Sequence, residues 1–194
     1  MELDYLIIED FFPNPDDIRS RALERLGEDH SCILNDNVNN YPGIRSYLHE
    51  DVHEYISHRM SEHYDFDVMF GAYHITSRVH GMGLIHNDDS EIAAVIYLNP
   101  NPPPNSGTIL TSPSTTLIES DDFFIASTTK DVAYIEEYSS FKQEYRNKHT
   151  IYKSIDNVYN RCISYNGYKQ AHAPDYYFGN NLYNSRLAIT FWLQ

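Results

Sequence analysis

The spacing of apolar residues changes about a third of the way along the chain. Up to about residue 66 apolar positions recur at helical steps; from Asp67 they form short Tyr-, Ile- and Val-rich runs separated by Gly, Pro, Asn and Ser. In "NPDDIRSRALERL", Ile18, Ala22 and Leu26 recur at every fourth position, which predicts a helix with one face on a core. Asn14 is its expected N-cap, with Pro15 at the first helical position and Asp16 and Asp17 in the first turn. A second helix is predicted to run to about His63, with Val52, Ile56 and Met60 as its apolar stripe. "YPGIRS" ahead of it reads as a turn, with Ser46 as the cap.

Beyond residue 66 the pattern predicts strands at 67–77, 91–98, 107–111, 115–119, 122–126, 150–156, 160–165 and 186–193. One helix, "AYIEEYSSFKQEYRNK" at 133–148, interrupts them, and "NPNPPPNSG" is a stiff loop whose prolines cannot join a central strand. Many short strands with regular punctuation predict a mainly β protein with flanking helices, an antiparallel sandwich or barrel. A length of 194 residues suits one domain: an N-terminal strand and supporting helices over 1–66, and a β core over 67–194.

Composition narrows the partners. Hydrophobic residues make up 41% and charged residues 22%, the balance of a globular chain rather than a disordered one. Fourteen basic against 28 acidic residues give a formal charge of −14, which disfavours nucleic acid and anionic membranes. No stretch approaches the roughly 20 apolar residues of a membrane span, and "MELDYLIIEDFF" lacks a basic leader. Two cysteines, Cys32 and Cys162, are too few for a disulfide framework; both are expected to be reduced and buried, in a cytoplasmic protein, although their spacing leaves a single disulfide open.

The chemistry begins at "GLIHND". His86 and Asp88 stand two residues apart just ahead of the apolar run "EIAAVIYLNP", so an extended backbone puts both side chains on one side. A hydrogen-bonded turn explains such a pair unless a third ligand arrives from elsewhere, and His172 in "AHAPDYY" offers one. Arg186 opens the apolar strand "RLAITFWL", where an unpaired guanidinium costs several kcal/mol, so an anionic partner is expected there. Its planar fork suits a carboxylate, belonging either to a protein acid or to a ligand. Asp89 points away from Asp88 in extended chain, and Asn87 reads as a turn residue. His49 and His53 share a zinc-compatible spacing but have no third ligand nearby, and are expected on a solvated helix face. His74 and His80 read as pocket-lining or structural, His30 and His149 as surface positions.

Two histidines and a carboxylate on one face of a metal form the facial triad of non-haem iron(II) oxygenases. The order His-x-Asp, a distant His, then Arg in the last strand resembles the 2-oxoglutarate and iron(II)-dependent dioxygenases. The stretches "IEDFFPNPDDIRSRAL", "YPGIRS", "IHNDDSEIAAVIYLN", "SGT" and "AHAPDYYFG…SRLAITFWL" look most like small bacterial and phage proteins of the prolyl-hydroxylase-like branch. The resemblance implies a double-stranded β-helix, a jelly-roll, cupin-like barrel, over 67–194. It also implies iron(II) on His86, Asp88 and His172 as the catalytic centre, O2 as oxidant, and Arg186 on the far carboxylate of 2-oxoglutarate. The implied reaction is hydroxylation of a small molecule or an amino-acid side chain of a peptide or protein.

The chain departs from that family at two places. Ala188 stands where many relatives carry Ser, and Gly83 where prolyl hydroxylases often carry Tyr. A hydroxyl assisting Arg186 must then come from elsewhere, and Tyr97 and Thr190 are the candidates. Two other readings stay open: a metal-binding cupin-like barrel without 2-oxoglutarate chemistry, with Arg186 paired internally, and a non-catalytic jelly-roll interaction protein. Neither the substrate nor the oligomeric state is legible in the sequence.

Overall fold

The run "RLAITFWL" shows no apolar–polar alternation because both of its faces are covered. As strand β10 (Arg186–Leu193) it lies at the centre of a seven-stranded sheet. The order is β1 (Tyr5–Ile8), β8 (Cys162–Asn166), β5 (Ile92–Tyr97), β10, β4 (Val68–Thr76), β3 (Ile44–Tyr47) and β2 (Cys32–Ile33). A second sheet has the order β7 (Ile151–Ile155), β6 (Thr108–Thr111) and β9 (His172–Pro174). All of these pairings are antiparallel. The structure is a computed structural model and describes residues 5–28, 32–33, 43–112 and 132–194.

The two faces of β10 serve two cores. Leu187, Ile189, Phe191 and Leu193 pack against α1 (Pro15–Gly27) and α2 (Glu50–Ser61), meeting Ala22, Leu23, Leu26, Val52, Ile56 and Met60. The other face carries Arg186, Ala188, Thr190 and Trp192, one residue out of step. Ala188 and Trp192 join Ala93, Val95, Tyr97, Ile163 and Tyr165 of the large sheet, and Leu110 and Ile155 of the small one. The sheets therefore face each other across this second core, as in a jelly roll. Each fully buried Leu, Ile or Phe contributes about 1.5–3 kcal/mol, so the helix-side core anchors the sheet whose other face holds polar residues.

Most predicted elements are found. Both N-terminal helices bury the expected stripes, and the interrupting helix, here α3 (Val132–Asn147), falls where periodicity put it. Asn14 occupies the N-cap of α1 without a side-chain cap bond. Ser46 does not cap α2: it lies within β3, completely buried, and His49 takes the cap position. His49 is half-buried rather than fully solvated, with its Nδ1 3.0 Å from the Tyr73 hydroxyl. Strands β2, β3 and β9 were not anticipated. The predicted strands at 115–119 and 122–126, His30 and the Cys32 side chain lie outside the described residues. Cys162 is free and buried. Among the described residues no helix is long and apolar enough to cross a membrane.

Candidate metal centre

His86 and His172 are cross-strand partners. Each main-chain N–H donates to the other's carbonyl, at 3.0 and 2.9 Å, in an antiparallel bridge that continues β9. Their rings consequently lie 4.4 Å apart, and that of His172 is a further 4.4 Å from Tyr165. Asp88 follows on the turn into β5, where its N–H donates to the Gly167 carbonyl at 3.1 Å. A side chain at Gly167 would put its Cβ 2.5 Å from the Ser90 carbonyl oxygen and 3.3 Å from the Asp88 Cβ, so only glycine allows this approach.

One ligand atom from each of His86, Asp88 and His172 lies within 4.8 Å of the other two. The His86 and His172 Nε2 atoms stand 3.6 and 3.3 Å from the two Asp88 carboxylate oxygens. Donors around a first-row ion sit about 2.0–2.2 Å from it and hence about 3 Å from one another across a right angle, so these three fit one ion. The ring orientations fit as well. His86 Nδ1 lies 2.8 Å from the Leu84 carbonyl and His172 Nδ1 3.0 Å from that of Gln170. A carbonyl can only accept, so both Nδ1 atoms donate, which in a neutral ring leaves the Nε2 lone pair facing the Asp88 carboxylate.

Charge in the site is tuned the same way. Burial raises the Asp88 carboxyl, but His172, His86 and a hydrogen bond from the Trp192 indole outweigh it and hold the group well below the usual carboxylate range. Burial lowers His86, and His172 beside it lowers it further. An anionic carboxylate beside neutral imidazole is the protonation pattern a divalent ion needs. The side chains of Asp88 and His172 are only 6% exposed whereas His86 is 32% exposed, so the cluster opens on the His86 side.

Arg186 lies on the site-facing side of β10 and is 2% exposed. Its Nε reaches the Ser106 carbonyl at 3.4 Å and its guanidinium lies 5.6 Å from the centre of the Tyr97 ring. Among the described residues it has no carboxylate partner. Burial pushes the Tyr177 hydroxyl up to about 12 against the pull of Arg186 and Arg45, which places this tyrosine in the same field. The Tyr97 hydroxyl is engaged with Thr108 Oγ1 at 2.7 Å, leaving its ring toward Arg186. Thr190 Oγ1 is buried without a hydrogen-bond partner. So is Thr76 Oγ1, and Thr76 is the direct cross-strand neighbour of Arg186. Sequence reasoning missed Thr76 and Tyr177, since neither the register of β4 on β10 nor an orphaned hydroxyl has a sequence signature. At Gly83 an added Cβ would meet Pro174 Cδ at 2.5 Å, so the close passage of β9 leaves no room for a tyrosine there.

Of the remaining candidates, His74 lies on the site face opposite Ala188 and Arg45. His80 sits in the 3-10 turn Arg78–His80, edge-on to Tyr177. Asn87 bonds the Tyr168 carbonyl at 2.7 Å, and Asp89 is exposed.

No family model and no curated protein matches the chain by sequence. Solved structures do match along its length. A prolyl-4-hydroxylase from Pseudomonas putida aligns with 99% of this chain and 92% of its own, at 13% identity and a TM-score of 0.56. A Trichoplax adhaerens prolyl hydroxylase, in complex with a hypoxia inducible factor peptide fragment, covers 97% and 82%, at 14% identity and a TM-score of 0.56. HygX from Streptomyces hygroscopicus, with nickel, 2-oxoglutarate and hygromycin B bound, covers 97% and 82%, at 13% identity and a TM-score of 0.59. At this identity the likeness is one of architecture: the chain has the double-stranded β-helix fold of the 2-oxoglutarate-dependent oxygenases.

Proposed function

We propose that this protein is an iron(II)- and 2-oxoglutarate-dependent oxygenase that hydroxylates a small molecule or a peptide side chain. The observation that carries the reading is Arg186, a buried guanidinium with no acid among the described residues, on the same inter-sheet face as the His86–Asp88–His172 cluster. Such a cation is retained when a ligand anion completes it. A cupin-like barrel without 2-oxoglutarate would instead need an internal partner for Arg186.

Bound iron(II), with 2-oxoglutarate and O2, supplies oxidative decarboxylation coupled to oxidation of a C–H bond. The chain's own part is positional. His86 and His172 present their Nε2 lone pairs, fixed by the Leu84 and Gln170 carbonyls, and Asp88 is kept ionised under the Trp192 N–H. Arg186 grips the far carboxylate of 2-oxoglutarate with its two-pronged fork, and Thr76 Oγ1 donates the hydrogen bond it otherwise lacks. Tyr97 backs the guanidinium. Ala93, Val95, Leu110 and Ala188 belong to the apolar core packed between the two sheets beside these groups.

The test is optical. The protein is loaded with iron(II) under nitrogen, 2-oxoglutarate is added, and the weak visible charge-transfer band of the chelate is sought. The band is expected with the native chain and is lost in His172→Ala. Iron binding with no band at saturating 2-oxoglutarate would overturn the proposal in favour of the cupin-like reading.

A further inference from the structure

Helix α3 interrupts the β core, and nothing in the reaction proposed above uses it. Two of its cations, Lys142 and Arg146, are one turn apart and so share a helix face. Lys142 is 5% exposed, and its Nζ donates to the carbonyls of His80 and Met82, at 2.5 and 2.7 Å. Arg146 donates to the Asp175 carbonyl at 3.1 Å and forms an ion pair with the Asp175 carboxylate, the two side chains being 11% and 8% exposed. Its guanidinium also lies over the Tyr176 ring at 5.4 Å.

The two segments so held are the two sides of one ribbon. Tyr177 N–H bonds the Gly81 carbonyl at 2.8 Å, Met82 bridges Tyr176, and Gly83 N–H bonds the Pro174 carbonyl at 3.0 Å. Further along, the same ribbon ends in the mutual bonds of His86 and His172. Lys142 therefore fixes the strand leading into His86, and Arg146 fixes the strand leaving His172. Burying an ammonium is expensive, and burial does lower Lys142 to about 8. An apolar residue would pack against the turn at less cost, but it could not tether two carbonyls.

We propose that Lys142 and Arg146 are positioning residues that set the relative placement of His86 and His172 by clamping both sides of the ribbon that carries them. The clamp acts on the geometry and metal affinity of the centre beyond any contribution to stability. This inference rests on the reading of His86, Asp88 and His172 as metal ligands. Residues that orient metal ligands from behind are worth about 10–100-fold in affinity.

The experiment uses the full chain and the variants Lys142→Met, Arg146→Met and Arg146→Lys. Nitrogen-15 NMR of the metal-free protein reads the histidine tautomers. In the native chain His86 and His172 should each show a single Nδ1–H tautomer. In Lys142→Met and Arg146→Met their signals should broaden or mix, with the exposed His58 and His63 unchanged. Cobalt(II) affinity should fall about 10–100-fold in both variants, and Arg146→Lys should recover part of it. Should Lys142→Met not fold, the Arg146 pair decides alone. Lower melting temperatures with native tautomers and native cobalt affinity would show α3 to be packing only and overturn the proposal. A native chain that binds no cobalt would remove the metal reading, and the tautomers would still decide whether the clamp positions the two rings.

Discussion

Replacing Arg186 with methionine should move stability and co-substrate affinity in opposite directions. Without ligand, the structure gives this 2%-exposed guanidinium one long bond to Ser106, the face of Tyr97, and no described carboxylate. Exchanging a buried charged group for an apolar one of similar volume is commonly neutral or stabilising by about 1–4 kcal/mol. With 2-oxoglutarate bound the balance reverses: deleting one partner of a buried, hydrogen-bonded charge pair costs about 2–5 kcal/mol, or roughly 30-fold to several-thousand-fold in Kd. Thermal melting with manganese(II) and graded 2-oxoglutarate reads both effects. At 100 times Kd a ligand stabilises by about 2.7 kcal/mol, worth roughly 5–10 °C in a chain of this size. The native protein should show that shift and Arg186→Met should not at the same concentration, while melting at an equal or higher temperature alone. If the variant instead melts several degrees lower and keeps the native 2-oxoglutarate midpoint, Arg186 is structural and does not bind the co-substrate.

Thr76→Val should raise the 2-oxoglutarate Kd about tenfold, by calorimetry, and leave the unliganded protein as stable or slightly more so, because it removes an orphaned buried hydroxyl; unchanged affinity would put the assisting hydroxyl elsewhere. Gly167→Ala, which forces a Cβ to 2.5 Å from the Ser90 carbonyl oxygen, should cost about 1–3 kcal/mol in urea unfolding and weaken metal binding through Asp88; a loss under 0.5 kcal/mol would mean that the turn relaxes freely. Lys142 gives a pH signature. Burial lowers it from 10.5 to about 8, so between those values the folded chain holds fewer protons than the unfolded one. Stability relative to Lys142→Met should therefore rise across that window by up to about 3 kcal/mol, and a flat difference would contradict the burial.

What the sequence disclosed and what it hid follow from the range of the interactions involved. Local periodicity is visible in "DDIRSRALERL" and "EIAAVIYLN", and so were the helices and the long strands. The clustering of His86, Asp88 and His172 was legible because His86 and Asp88 stand two residues apart in the chain and the order His-x-Asp, distant His, Arg singles out His172. β3 was hidden because "IRSY" is four residues of mixed polarity beside a Pro-Gly pair, made a strand only by pairing with β4. That pairing is also why Ser46 is buried in a sheet instead of capping a helix. β9 is three residues ending in proline, held by β6. Thr76 became a candidate only through its register with Arg186, and nothing in the local sequence around Lys142 signals that the turn at His80 closes over it.

The hydrogen bond between Trp192 and Asp88 has an optical consequence. Trp192 is the only tryptophan among 194 residues, so the indole emission of the whole protein originates one hydrogen bond away from the cluster. Its ring is stacked on Phe70 at 5.7 Å and lies under the Arg45 guanidinium at 5.6 Å, so it also senses events on the site face of β3 and β4. A cation drawing on the Asp88 carboxylate weakens that hydrogen bond, and an open-shell ion close by quenches the excited state. The chain thus has a built-in fluorescent reporter, with seventeen tyrosines able to feed it energy, through which occupancy of the centre can be followed in unlabelled protein.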